Sequence, residues 1–272
     1  MKRLISRSGF TIVELLIVLA VVGVIAVATL PFISGKQSST QYTVGINQIQ
    51  TQISSVINNI STGNIPINGS YTCATQSNGS SLKITGNSGS NTGACQFLGE
   101  AIYFKKNSMQ IIPIAGLRAD SGGNLIQNIS DSKPCPMLDG GVDNNCSSFD
   151  GSTSYNYTNG IVLSKYGGIT IDRNMTDANY GGMFVVLSSS TLTSSAQQNG
   201  SISIDTVDLQ TFKPGTNNIT IFSKISDVGV SSLNNQVTLC FDNFATNQHG
   251  NITLSVNGSP AEVSLTNVQG AC

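Results

Sequence analysis

A nearly continuous apolar run near the start of the chain constrains its fold more than any other feature. At about 1.5 Å of rise per residue, a helix over residues 10–33 is long enough to cross the roughly 30 Å hydrocarbon core of a bilayer. The run exceeds the apolar core of an ordinary secretory signal, which has about 7 to 15 residues. The sequence therefore predicts a membrane-spanning helix over 10–33, interrupted only by Thr11, Glu14, Gly23, Thr29 and Pro31.

The residues before this run carry only positive charge. Lys2, Arg3 and Arg7 lie within the first nine residues, which contain no acid. Because cytoplasmic flanks are enriched in Lys and Arg, the positive-inside rule leaves residues 1–9 in the cytoplasm and directs the rest of the chain outward. On hydropathy alone, a plain signal anchor explains this arrangement.

Glu14 is the feature that a plain anchor does not explain. A charged side chain at the centre of a membrane helix costs about 2.5 to 3.5 kcal/mol on insertion scales, and intramembrane acids usually face a partner. One interpretation places Glu14 at the level of the lipid headgroups. The other pairs it with a positive charge from another copy of the chain, since cleavage between Gly9 and Phe10 would create an ammonium group at Phe10.

The string GFTIVELL, residues 9–16, follows a short basic leader and opens an apolar run. It resembles the class III signal of bacterial type IV prepilins and type II secretion pseudopilins, and the resemblance covers residues 1–31. It implies cleavage by prepilin peptidase after Gly9, N-methylation of Phe10, and pairing of Glu14 with the terminal amine of an adjacent subunit. Pro31 matches a proline of many filament-forming pilins, at which the helix can kink or melt in the fibre.

The same resemblance implies the partners of the chain. They are other pilin or pseudopilin subunits, the prepilin peptidase and methyltransferase, an inner-membrane assembly platform and membrane lipid. It implies no cofactor. The expected location is the cytoplasmic membrane before assembly, with the amino terminus inside, and a cell-surface or extracellular filament afterwards.

Residues 34–62 continue the helix beyond the membrane with an amphipathic pattern. Apolar residues recur at spacings of 3 and 4, while Asn, Gln, Thr and Ser occupy the other faces. Fewer than three heptads and no charged flanking positions disfavour a parallel coiled coil. The stripe is predicted to pack on a sheet, and the helix to end near 61–64; its members are Tyr42, Ile46, Ile49, Ile53, Val56 and Ile60.

Residues 63–272 are rich in Ser, Thr, Asn and Gly and read as a β-rich extracytoplasmic domain. The clearest signal is a hairpin, in which apolar residues alternate over 252–256 and 261–265 around the break at 257–260. The predicted fold class is α+β and pilin-like: a long N-terminal helix packed on an antiparallel sheet, alone or backed by a second sheet. Further predicted strands are 97–104, 109–114, 160–164, 168–172, 183–189, 201–207, 219–225 and 237–242.

Three stretches are predicted to be loops because they consist mostly of small and polar residues. They cover residues 77–93, 131–153 and 188–200. Loops of more than about 12 residues are often functional or disordered. In a pilin-like protein they would lie on the outer surface.

All six cysteines follow the apolar run, at positions 73, 95, 135, 146, 240 and 272. An even number in an oxidising compartment predicts disulfides, each worth about 2 to 4 kcal/mol. Fifteen pairings are possible, and consecutive pairing closes short local loops: Cys73 with Cys95, Cys135 with Cys146, and Cys240 with Cys272. The last pair resembles the C-terminal disulfide loop of many pilins. No CxxC spacing supports zinc or redox chemistry.

Catalytic and ligand-binding signals are weak. The single histidine, His249, is expected to be an exposed loop residue, and there is no GxSxG motif, so no enzymatic activity is predicted. Asp139, Asp143 and Asp150 form a weak calcium candidate, because carboxylates and turns suit that ion although the spacing is not that of an EF-hand. A net charge of −1 gives no strong nucleic-acid signal.

These features predict a structural subunit of a type IV pilus or related filament. A mature chain of 263 residues, nine fewer than the full 272, favours a minor or otherwise large pilin, while Pro31 keeps a major pilin open. The alternatives are a minor pseudopilin of a type II secretion or DNA-uptake machine and, from a different class, a membrane-anchored adhesin or lectin that never polymerises.

Overall fold

The structure is a computed structural model of the chain. In the described residues, an N-terminal helix is followed by strands and by one turn of 3-10 helix at Ser130–Ser132. The statements below concern the part of the chain that the structure describes. That part comprises residues 11–62, 70–75, 82–87, 95–120, 122–126, 130–138, 146–147, 151–171, 181–187, 207–212, 236–255 and 262–266.

Helix α1 spans Ile12–Thr62 and contains 51 residues. Its backbone is continuous through Pro31, so the kink predicted for a fibre stays a prediction. The helix ends at Thr62, within the range 61–64 in which the sequence predicts its end. The two predicted segments, 10–33 and 34–62, thus form one helix from Ile12 onward.

Fourteen strands follow α1 in the described residues. They are β1 (Ser70–Thr75), β2 (Leu82–Asn87), β3 (Cys95–Lys105), β4 (Ser108–Leu117), β5 (Cys135–Pro136), β6 (Cys146–Ser147), β7 (Thr153–Asn156), β8 (Val162–Tyr166), β9 (Ile169–Thr170), β10 (Gly181–Leu187), β11 (Val207–Phe212), β12 (Gln236–Asn243), β13 (Gln248–Ser255) and β14 (Glu262–Thr266).

The strands form three sheets. The largest has the order β11-β10-β3-β4-β5, with β7 also paired to β4, and all its pairs are antiparallel. The second has the order β14-β13-β12-β8-β9 and is antiparallel throughout. A small sheet, β1-β2-β6, contains the parallel pair β2 and β6. The domain therefore has the second sheet that the sequence left open.

One hydrophobic core joins the amphipathic half of α1 to both large sheets. The predicted stripe of α1 is fully buried in it, from Tyr42 to Ile60. Phe104 and Met109 come from the first large sheet, and Leu239 and Ile252 from the second. Burial of large apolar side chains supplies the main driving force for this packing, at about 1.5–3 kcal/mol each. The prediction that the stripe packs on a sheet is confirmed.

Two close contacts position α1 on the second sheet. The Tyr42 hydroxyl donates a hydrogen bond of 2.7 Å to the backbone carbonyl oxygen of Phe241. Burial, and then the negative charge of Asp242, raises the pKa of Tyr42. At Gly45 the helix approaches so closely that an added Cβ would collide with Cδ1 of Ile161. A side chain larger than hydrogen therefore does not fit at position 45 unless the end of the Ile161 side chain shifts.

The predicted hairpin near the end of the chain is present as β13 and β14. Ile252 pairs with Leu265 and Leu254 with Val263, so the alternating apolar residues share one register. The predicted strands 97–104, 109–114, 168–172, 183–189 and 237–242 correspond to β3, β4, β9, β10 and β12, and 160–164 overlaps β8. The predicted strand 219–225 lies outside the described residues, as does 201–207 apart from its last residue, with which β11 begins.

Two loop predictions are wrong in part. Residues 82–87 form β2 inside the predicted loop 77–93, because β1 supplies antiparallel partners for all six of its residues. Short strands β5, β6 and the start of β7 lie within the predicted loop 131–153, where pairing with β4 and β2 supplies backbone partners for otherwise polar sequence. The third predicted loop, 188–200, lies outside the described residues.

Candidate functional site

The first half of α1 presents apolar side chains to the outside. Every described side chain from residue 11 to residue 28 is exposed, and Ile12 and Val27 are 79% and 72% exposed. A monomeric soluble protein rarely exposes a contiguous apolar surface of this extent. This exposed half-helix, residues 12–28, is therefore the principal candidate interaction surface. Within the part of the chain that the structure describes, no helix combines the length and the apolarity that crossing a membrane requires.

Glu14 lies in the first turn of α1 and forms a capping box with Thr11. The backbone amide of Thr11 donates to Oε2 of Glu14 at 3.2 Å, and its hydroxyl donates to the same oxygen at 3.1 Å. In return, the backbone amide of Glu14 donates to Oγ1 of Thr11 at 3.3 Å. Such reciprocal bonds satisfy backbone donors that have no partner within the helix. The carboxylate therefore stabilises the start of α1 in a single chain.

The role of Glu14 in the capping box was recognisable from the sequence. The pattern Thr11-x-x-Glu14 immediately before an apolar run is the sequence signature of a capping box. The bonds occupy Oε2, and Oε1 has no hydrogen-bond partner in the described part of the chain. An acid at the helix N-terminus also interacts favourably with the helix dipole. The capping box thus leaves Oε1 unused.

The other predicted processing residues are placed only in part. Gly9 and Phe10 lie outside the described residues, so cleavage and methylation there stay predictions. Because α1 begins at Ile12, the predicted new terminus at Phe10 is two residues before its first helical residue. A terminal ammonium at Phe10 would therefore lie close to the capping box of its own chain.

The structure contains a disulfide between Cys73 and Cys95, which is the first of the three pairs that the sequence suggests. It ties β1 to the start of β3 and so connects the small sheet to the largest one. Cys135 and Cys240 are also disulfide-bonded. The side chains of Cys146 and Cys272 lie outside the described residues, and their pairing with Cys135 and Cys240 stays a prediction.

His249 is not the exposed loop residue that the sequence suggests. It lies in β13, directly opposite Asp242 of β12, and Nδ1 is 2.8 Å from Oδ1 of that carboxylate. The expected turn is present one step earlier, because Asn247 adopts a φ of 52° and the strand resumes at the next residue. The pair joins two neighbouring strands and is a local structural contact.

The predicted calcium candidate, Asp139, Asp143 and Asp150, lies outside the described residues. In the described part of the chain, no group of three or more His, Cys, Asp or Glu side chains is arranged to hold a metal ion. The carboxylate of Asp120 instead accepts hydrogen bonds from residues close to it in the sequence, namely Asn124 and the amide of Gly122. Those bonds lower the pKa of Asp120, and the side-chain bond from Asn124 has the largest effect.

One buried acid was missed by the sequence interpretation. Glu100 of β3 is 1% exposed, and neither carboxylate oxygen has a hydrogen-bond partner among the described residues. Burial raises its pKa from the ordinary 4.5 to about 7. The sequence could have indicated this acid, because Glu100 is the only charged residue between Cys95 and Phe104 in a mostly apolar strand. Buried unpaired acids of this kind often mark functional sites.

Comparison with known proteins gives one match. Residues 5–30 match the family model described as the prokaryotic N-terminal methylation motif. No curated protein and no solved structure matches the chain significantly. The matched residues include the end of the basic leader, the predicted cleavage position and the capping box at the start of α1. The chain therefore carries a type IV prepilin-like class III signal peptide, as a precursor of the type IV pilin or pseudopilin kind does.

Proposed function

We propose that the chain is a structural subunit of a type IV pilus or related filament, most simply a minor or large pilin. In this proposal, prepilin peptidase cleaves after Gly9, Phe10 is methylated, and residues 10–33 hold the subunit in the cytoplasmic membrane before assembly. The observation that carries the proposal is the exposed half-helix behind a prepilin signal. Its apolar surface is buried when like helices pack together in a filament.

Glu14 sets the axial position of neighbouring subunits in this proposal. An unpaired carboxylate among packed apolar helices is costly, whereas one that meets an ammonium group is compensated. The terminal amine of an adjacent subunit can approach Oε1, because the capping box occupies only Oε2. Glu14 therefore has one role within the subunit and a second between subunits.

A pair of substitutions separates these two roles. Glu14→Gln keeps a residue that suits a capping box but removes the charge, and Thr11→Ala removes the cap but keeps the charge. Each variant is expressed in the native host, and its incorporation into sheared filaments is measured against its level in the membrane. We expect Glu14→Gln to reduce incorporation at least tenfold and Thr11→Ala to reduce it far less. Equal incorporation of Glu14→Gln and the natural chain would refute the pairing.

Mass spectrometry of the mature amino terminus tests the processing steps. The expected product begins at Phe10 and carries one added methyl group. An intact chain beginning at Met1 would instead support the adhesin alternative, in which the anchored protein never polymerises.

A pseudopilin is the second candidate within the same class, because the prokaryotic N-terminal methylation motif is compatible with either kind of subunit. The number of copies per filament distinguishes the candidates. High abundance along the filament would identify a shaft pilin, whereas a few copies would identify a minor subunit. Location in a secretion or uptake complex without surface filaments would identify the pseudopilin.

A further inference from the structure

A small cavity between α1 and the largest sheet has one side that is open to water and one that is closed. Its volume is about 60 Å³, which leaves room for several water molecules at about 10–15 Å³ each. On the open side, Ser55 of α1 and Thr153 of β7 are exposed. On the closed side, Val56 and Ile111 are only 2% and 8% exposed. Water therefore reaches one side of the cavity and is excluded from the other.

Glu100 of β3 lies on the closed side. Strand register places it on the same face of the sheet as Pro113 and Ile111, and α1 covers this face. Both of its carboxylate oxygens are buried and have no hydrogen-bond partner in the described part of the chain. Its cross-strand neighbours are Pro113, which has no amide hydrogen to donate, and Val186 of β10. This position suits a protonated carboxyl and is costly for an ionised one.

The described residues that line the cavity supply no positive charge for an ionised Glu100. Helix α1 contributes two amides and a hydroxyl, β7 a hydroxyl and a phenol, and β4 only apolar side chains. The phenol of Tyr155 is the one other titratable group among these lining residues. The negative charge of Glu100 is therefore compensated only if water enters. The polar lining residues beside Glu100 are Gln52, Ser55, Asn59, Thr153 and Tyr155.

We propose that the charge of Glu100 controls the contact between α1 and the largest sheet at this cavity, which is closed while the carboxyl is protonated and opens when it ionises. The only chemical change is the loss of one proton to water. Opening joins the closed side of the cavity to the open side, so that water reaches the carboxylate and also Val56 and Ile111. Burial raises the pKa of Glu100 to about 7, so pH 5 and pH 8 lie on either side of the change.

Hydroxyl-radical footprinting of the full chain in detergent, read by mass spectrometry, tests this opening because it measures water access to single side chains. Val56 and Ile111 report on the closed side of the cavity. Ile53 is fully buried on the same helix but does not line the cavity, so it reports on loosening of the whole domain. Labelling is divided by that of the exposed Val44 to correct for radical dose. Between pH 5 and pH 8 we expect a rise of at least threefold at both reporters and no change at Ile53.

Two variants assign the response to Glu100. Glu100→Gln is neutral at every pH and is expected to show the same low labelling of Val56 and Ile111 at both pH values. The matched control, Asp242→Asn, neutralises a buried acid of the second sheet and is expected to keep the rise. Unchanged labelling in the natural chain overturns the proposal, as does an equal rise in Glu100→Gln or loss of the rise in Asp242→Asn. An equal rise at Ile53 also overturns it, because the whole domain would then loosen.

Discussion

Stability of the folded chain is expected to fall as the pH rises through the range in which Glu100 ionises. Burial raises the pKa of this carboxyl from 4.5 to about 7 in the folded chain. The folded state therefore holds the proton more tightly than the unfolded state, so the stabilisation is complete below about pH 4.5 and is lost by about pH 7. Above that pH the contribution of Glu100 is constant.

The size of the effect follows from the pKa difference. A rise from 4.5 to about 7 corresponds to about 3 kcal/mol at 1.36 kcal/mol per unit. Because Glu100 is 1% exposed, little of this value is lost to solvent screening. For a domain of this size, 1 kcal/mol shifts the unfolding temperature by about 2–4 °C, so the expected loss is roughly 6–12 °C.

Glu100→Gln isolates this contribution, because the amide is neutral at every pH and has nearly the same shape. Thermal unfolding of the full chain in detergent is followed by circular dichroism at intervals from pH 4 to pH 8. The difference in unfolding temperature between Glu100→Gln and the natural chain is expected to be small at pH 4 and to increase to roughly 6–12 °C at pH 8. Glu100→Asp keeps a carboxyl and should retain the pH dependence. Parallel curves for the natural chain and Glu100→Gln would refute the reasoning.

Five further substitutions test how α1 packs on the sheets, and two of them, Val44→Ala and Gly23→Ala, are controls away from the packed face. Ile53→Ala removes a fully buried side chain and should cost about 2–5 kcal/mol in chemical unfolding, whereas the exposed Val44→Ala should change stability by less than about 0.5 kcal/mol. Gly45→Ala places a methyl group against the end of the Ile161 side chain and should cost about 1–3 kcal/mol. Gly23→Ala meets no neighbouring atom and should favour the helix by about 0.5–1 kcal/mol. Tyr42→Phe leaves a buried carbonyl without its donor and should cost about 1–3 kcal/mol, measured as a lower denaturant midpoint with an unchanged slope.

The sequence predicted α1 well because helical periodicity is a local property. Residues three and four apart must share a face, so the stripe ending at Ile60 identified its own buried side. Strand positions were also recognisable where apolar residues alternate, as in β13 and β14. The order of strands within each sheet was not recognisable, since a pairing such as β10 with β3 joins segments distant in the sequence. The polar β2 was missed because its stability comes from its partner β1.

The candidate sites show the same difference between local patterns and contacts among distant segments. The prepilin signal and the capping box of Thr11 and Glu14 are short local patterns, and the first was predicted while the second was overlooked. The surroundings of Glu100 depend on α1, β3, β4 and β7 meeting at one place. The sequence could mark an acid within an apolar strand, but it could not place amide and hydroxyl groups of the helix beside it. The same limit applied to His249, whose partner Asp242 is fixed by strand register.

The two halves of α1 have different surroundings, and under the proposed function this separates assembly from domain stability. Residues 12–28 are exposed and pack on no part of the described domain, whereas the stripe from Tyr42 to Ile60 is buried between the large sheets. Ionisation of Glu100 weakens packing around the second half alone. The first half still presents its apolar surface and the Glu14 oxygen that the capping box does not use. A Glu100 variant that folds should therefore enter filaments normally, while a Glu14 variant should fold normally and fail to enter them.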